Sequence, residues 1–343
     1  MRTALIVGVA GTELSRDEAQ FLKDARPAGF ILFARNLKDH AQIRALISDV
    51  RAAIGADDLL VLIDQEGGRV QRLRPPLGRA LPPAAAYGWL YASDPDGAVA
   101  AAFEAARLLA ADLAYLGINT DCAPVLDLPV AGAHDIIGDR AYGQSVEQVV
   151  TLGRAVGEGF MAGGVVPVIK HIPGHGRATS DSHLALPVVS EPRAELMASD
   201  FAPFRALNRM PAAMTAHVVF RDIDPEAPAS TSPIVTSEII RGVIGFDGLL
   251  MSDDLTMKAL SGPMRQRAEA VVAAGSDLAL HCSGDLPEMI EAAVGSGPLQ
   301  GRAKARFDAA VKITKGTKPF DSAAAEAQLA KVLAFAAGPA ESV

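Results

Sequence analysis

The chain has 343 residues, half of them hydrophobic and 21% charged, a composition that supplies a large core and excludes intrinsic disorder. Its 32 Lys and Arg against 40 Asp and Glu give a formal net charge of -8. There is no basic block of the kind that neutralises phosphate backbones, and no apolar run approaches the roughly 20 residues needed to cross a bilayer, so neither nucleic acid nor membrane is an expected partner.

In chain order, the first segment is the apolar run Thr3 to Val9. Arg2 is the only basic residue before it, too little basic flank for a signal sequence, so it reads as a first core strand. Further short apolar, β-branched runs follow at Gly29 to Ala34, Leu59 to Asp64, Ile118 to Pro124, Pro167 to Ile172, Ala212 to His217, Gly248 to Asp254 and Leu278 to Cys282. They lack in/out alternation, as strands do when both faces of a parallel sheet are covered. Segments with helical spacing lie between them, clearest at Ala98 to Leu116 and Val146 to Met161.

The repeated β/α units predict a (β/α)₈ TIM barrel of the α/β class, and barrels of this length occur as one domain. Residues 1–343 read as a single catalytic domain, with an Ala-rich terminal helix from Ser322 packed on the barrel. A doubly wound sheet would carry a glycine-rich phosphate turn, and neither GxGxxG nor a Walker loop occurs. Two excursions, Arg72 to Gly97 and Gly174 to Pro192, carry Pro and Gly and read as long functional loops. The two cysteines, Cys122 and Cys282, sit in or beside apolar runs and form no CxxC pair. A disulfide framework is not expected, and a reducing, cytoplasmic setting fits.

In such a barrel the site forms at the C-terminal ends of the strands, so the polar residues that end each apolar run are the informative ones. Here they are Asp64, Lys170 with His171, His217, and Asp253 with Asp254, while Asp127 follows the fourth run. So many titratable groups at strand ends predict one charged pocket. His171, His175, Asp181 and His183 lie close in sequence, but their spacing matches no HExxH, facial-triad or EF-hand pattern, so no metal or other cofactor is expected. A nucleophile elbow, GxSxG, is absent.

The stretch KHIPGHG at Lys170 to Gly176 and the DSH at Asp181 to His183 resemble the signature of β-N-acetylglucosaminidases of glycoside hydrolase family 3. IDQEGGRVQRL from Ile63, IGDRAYG from Ile137, MTAHV from Met214 and MSDDLTM from Met251 follow in family order over most of the chain. The central motif departs from the family's usual KHFPGHG only in Ile172, an apolar exchange. The resemblance implies a TIM barrel and a retaining hydrolase in which Asp253 is the nucleophile, with Asp254 the runner-up and better suited to a helix N-cap. It implies that His183 is the general acid/base, oriented by Asp181. Asp64, Arg72, Arg140, Lys170 and His171 form the implied sugar-binding set, with His175 shaping the loop and His217 on the pocket floor. The compact form resembles monomeric cytoplasmic enzymes that release N-acetylglucosamine (GlcNAc) from 1,6-anhydro-muropeptides during peptidoglycan recycling. A phosphorylase of the same family and a sugar-binding barrel that has lost catalysis are the competing readings.

Overall fold

A computed structural model describes residues 1–130, 132, 134–178 and 186–337. Eight strands, β1 (Thr3–Gly8), β2 (Pro27–Leu32), β3 (Leu60–Ile63), β4 (Thr120–Asp121), β5 (Val166–Ile172), β6 (Ala212–Thr215), β7 (Leu249–Asp254) and β8 (Leu278–His281), close into a barrel in which β8 pairs back onto β1. Every neighbouring pair runs parallel. Each of the eight apolar runs supplies one barrel strand, most of them shorter than the run. The run from Ile118 keeps strand pairing only at Thr120–Asp121, since Pro124 offers no N–H to the ladder.

The unalternating strands have a simple cause. Ala4, Ile6, Leu60, Leu62, Val166, Val168, Leu249 and Met251 face one core inside the barrel, while Leu5, Val7, Val61, Ile63, Ile169 and Leu250 face another under the helices. A period of two is therefore present in the side chains, but it sorts two apolar environments and leaves no polarity signal. Phe307, Ala310 and Val311, on a helix at Gly301–Ile313, join the inner core.

Helices α1 (Arg16–Ala25) and α2 (His40–Ile54) cross between the first three strands. Ser15 and Glu18 form a reciprocal capping box at the start of α1, which satisfies two otherwise orphaned N–H groups. Between β3 and β4 the structure departs from expectation. The excursion from Arg72 to Gly97 is not one loop: it contains α3 (Ala84–Tyr91), and α4 (Pro95–Leu116) starts three residues before the expected Ala98. Pro83 and Pro95 stand at helix starts, where a missing N–H costs nothing, so these prolines mark beginnings of helices. Helix α5 (Val146–Ala162) follows β4 as expected. The terminal helix Ser322–Ala336 packs mainly on α4 and also on α3, so it covers the helical layer and not the strands. No helix among the described residues is long and apolar enough to cross a membrane. Cys122 and Cys282 are both buried and free.

Candidate active site

The alternation inside the barrel decides which polar residues meet. Leu60 and Leu62 face inward, and two residues on stands Asp64; Val166 and Val168 are followed by Lys170, and Leu249 and Met251 by Asp253. Three strands therefore end in an inward-facing charge at the mouth. Asp64, Lys170 and Asp253 line one cavity of about 270 Å³, together with His171, His175, Glu66, Arg72, Arg140 and Asp254. The Lys170–His171 peptide is cis, and both side chains line the cavity. That volume lies just under the range of roughly 300–1,000 Å³ typical of sites for larger small molecules, so the cavity suits a single ring.

One wall is an alternating array of buried charges. Lys170 Nζ stands 2.9 Å from Asp64 Oδ1 and 2.6 Å from Glu66 Oε1. Arg140 grips Glu66 through Nε at 2.8 Å and Nη2 at 2.9 Å, and Arg72 Nη2 donates to Asp64 Oδ2 at 3.0 Å. Burial alone would raise both carboxyls, but Lys170 and the two arginines outweigh it, holding Glu66 at about 2 and Asp64 well below the usual carboxylate range. The same acids hold Lys170 above its ordinary value against the cost of burial.

A short antiparallel ribbon, Gln65–Gly67 against Val70–Gln71, puts Glu66 and Arg72 there. Buried Gln65 fastens it, accepting from the N–H groups of Arg72 and Leu73 and donating to the Leu73 carbonyl, each at 2.9 Å. The turn requires glycine: Gly67 has φ 101°, and a Cβ there would lie 2.3 Å from the Pro82 carbonyl oxygen. Arg72 also lies over the Phe33 ring at 5.2 Å.

The opposite wall holds Asp253. Burial disfavours its charge, but the hydrogen bond from the Asp254 N–H and the positive charge of Lys170 favour it, and its carboxyl is held below the ordinary range. Oδ1 accepts from Asp254 N at 2.8 Å. Asp254 does not cap a helix as the sequence suggests. Its carboxylate accepts from the N–H groups of Thr256 and Cys282, tying the turn after β7 to the end of β8. His217 likewise is not on the cavity surface: wholly buried, it bridges Ser230 Oγ at 2.7 Å and the Asp254 carbonyl at 3.0 Å. The Asp254 carbonyl only accepts, so Nε2 carries the hydrogen and Ser230 donates to Nδ1 in the neutral ring. Burial holds this histidine below its ordinary value, in keeping with that state. His175 is buried against His171, with ring centroids 5.4 Å apart, and burial lowers it to about 4.

Of the site residues read from the sequence, Asp64, Arg72, Arg140, Lys170, His171 and Asp253 come together around this cavity. Asp181 and His183 lie outside the described residues. Glu66 was missed as a functional residue although it pairs with both Lys170 and Arg140; the Glu-Gly-Gly turn directly after a strand was the available signal. Among the described residues no group of three or more His, Cys, Asp or Glu side chains is placed to hold a metal ion.

A parallel barrel with a cavity at its strand ends, walled by ionised acids paired with lysine and arginine side chains, fits an enzyme pocket for a polyhydroxylated ring. The match of residues 4–314 to the N-terminal domain of glycosyl hydrolase family 3 makes that class particular. The chain belongs to glycosyl hydrolase family 3 and is a glycoside hydrolase. A β-hexosaminidase of Bordetella pertussis is 41% identical over 83% of this chain and 81% of its own. One from Alkalilimnicola ehrlichii is 42% identical over 81% of this chain and 80% of its own. Among solved structures, NagZ from Neisseria gonorrhoeae in complex with N-trifluoroacetyl-D-glucosamine superposes with a TM-score of 0.84 at 34% identity, covering 98% of both chains. A family 3 β-N-acetylglucosaminidase from Paenibacillus reaches 0.86 at 31% identity, over 97% of this chain and 67% of its own.

Proposed function

We propose that this hydrolase is a retaining exo-β-N-acetylglucosaminidase that removes terminal, non-reducing β-linked GlcNAc from GlcNAc-1,6-anhydro-muropeptides in the cytoplasm, acting as a monomer. The observation that carries this reading is the cavity itself: room for one ring, with the Asp64–Lys170–Glu66–Arg140 array on one side and the ionised Asp253 on the other. Fixed acids and cations offer short, strong hydrogen bonds to ring hydroxyls. A pocket with room for one ring favours a chain end over an internal residue. The named relatives, β-hexosaminidases and a NagZ holding a glucosamine derivative, support GlcNAc as that end.

In this mechanism Asp253 attacks the anomeric carbon as the glycosidic bond to the aglycone breaks, giving a covalent glycosyl-enzyme. A negative charge held beside the anomeric carbon stabilises the oxocarbenium-like transition state before the bond forms. His183, oriented by Asp181, protonates the departing oxygen and then takes a proton from the incoming water. The water attack releases the sugar with its anomeric configuration retained.

The test is a β-GlcNAc chromogenic glycoside and its glucose analogue, each assayed with and without phosphate and with EDTA. Strong preference for GlcNAc, free GlcNAc as the product in both buffers, and indifference to EDTA support the reading. Equal glucoside cleavage, or loss of activity with EDTA, contradicts it, and GlcNAc 1-phosphate as product makes the enzyme a phosphorylase.

A further inference from the structure

Asp127 lies just beyond β4, and its side chain is wholly buried behind His171. Its two oxygens take three N–H groups from the end of β5 and the segment that follows it. Oδ2 meets His171 Nδ1 at 2.6 Å, Oδ1 accepts the His175 N–H at 2.7 Å, and the His171 N–H is shared between them at 3.2 and 3.3 Å. Burial opposes charge on this carboxyl, but the hydrogen bonds from the His171 ring and the His175 backbone outweigh it and hold it below the ordinary range. An ionised carboxylate only accepts, so His171 Nδ1 carries a hydrogen. Nε2, at the far edge of the ring, then belongs to the cavity that His171 lines.

We infer that Asp127 is a positioning residue of the pocket: one carboxylate fixes both the protonated nitrogen of His171 and the backbone at His175. The idea that Nε2 meets a sugar hydroxyl rests on the function proposed above; the state of the ring does not. In the neutral ring Nε2 is an acceptor, and it complements the donors Lys170, Arg72 and Arg140 that line the same cavity. The variant Asp127→Asn keeps the size of the side chain but turns one oxygen into an NH₂ donor. Three N–H groups then compete for a single oxygen. The ring satisfies the new donor by offering a bare Nδ1, which moves its proton to Nε2 and turns the pocket-facing acceptor into a donor.

The experiment is ¹⁵N-histidine NMR on the full chain, with the His171 ring assigned by its disappearance in His171→Gln, combined with kinetics on an aryl β-GlcNAc glycoside. The wild type should show Nδ1 protonated. Asp127→Asn should show the proton on Nε2, with KM raised about tenfold or more, a loss of some 1.4 kcal/mol in binding. A wild-type ring with bare Nδ1 overturns the inference, as does a folded Asp127→Asn protein with unchanged ring state or unchanged KM. If that variant does not fold, the wild-type spectrum alone decides. Nδ1–H in a wild-type protein with no GlcNAc activity supports the ring assignment and removes the functional reading, so the two fail separately.

Discussion

Lys170 Nζ lies 2.6 Å from Oε1 of Glu66, a residue two positions past the Asp64 that shares the same lysine. Glu66 also carries both nitrogens of the Arg140 clamp. Removing one partner from a buried pair strands the other charge, at a cost of roughly 3–5 kcal/mol. Glu66→Gln should therefore lose stability on that order in urea denaturation. Glu66→Gln with Arg140→Gln restores the charge balance and should lose clearly less than the two single changes summed. Additive losses would show that the array is not coupled.

Arg72 both donates to Asp64 and lies over the Phe33 ring. A lysine keeps the charge but has no planar fork to stack and bond at once. Arg72→Lys should raise KM for a β-GlcNAc glycoside about tenfold, with kcat less affected and stability nearly unchanged. Wild-type KM in this variant would remove Arg72 from the sugar-binding set.

Asp121 ends β4, with one oxygen accepting the Gln65 N–H at 3.0 Å and the other without a partner among the described residues. Burial pushes its carboxyl up to about 8 from the ordinary 3.8, against the pull of the Gln65 N–H and Lys170. Between those values the native state keeps a proton that the unfolded chain has released. This group's contribution is intact below 3.8 and is lost as pH rises toward 8, at up to roughly 1.4 kcal/mol per pH unit. Asp121→Asn should remove that slope, gaining on the wild type as pH rises from 4 to 8 in urea denaturation. Parallel stability curves would show that Asp121 is ionised in the native state.

The assignment of His183 as acid/base makes a kinetic prediction. Poor leaving groups need a proton to depart, whereas activated aryl groups leave unaided. His183→Ala should cripple the former and spare the glycosylation step of the latter. Asp181→Asn should act in the same direction but more weakly. A series of aryl β-GlcNAc substrates of differing leaving-group acidity checks both. A wild-type-like dependence in His183→Ala would mean that another group donates the proton.

The barrel was legible because its strands are short apolar runs alternating with helical segments, and the pocket because Asp64, Lys170 and Asp253 each stand at or near the end of such a run on the inner face. What escaped the sequence depends on tertiary pairing. Glu66 sits in a ribbon outside the barrel strands, and Asp127 acts through a segment more than forty positions away. Asp254 reads as a helix cap only if a helix follows, yet the chain turns instead toward Cys282. Prolines between Arg72 and Gly97 suggested a loop because Pro at a helix start and Pro in a loop look alike without the fold around them.

In the proposed mechanism Asp253 bonds covalently to the sugar. Incubation with a slow fluorinated GlcNAc donor, followed by proteolysis and mass spectrometry, reads that bond directly. One sugar is expected on the peptide that spans Met251 to Met257, attached at Asp253, and none in Asp253→Ala, whose fold is retained. A label on Asp254 or on any other peptide, or turnover that gives the inverted anomer without a label, would contradict it.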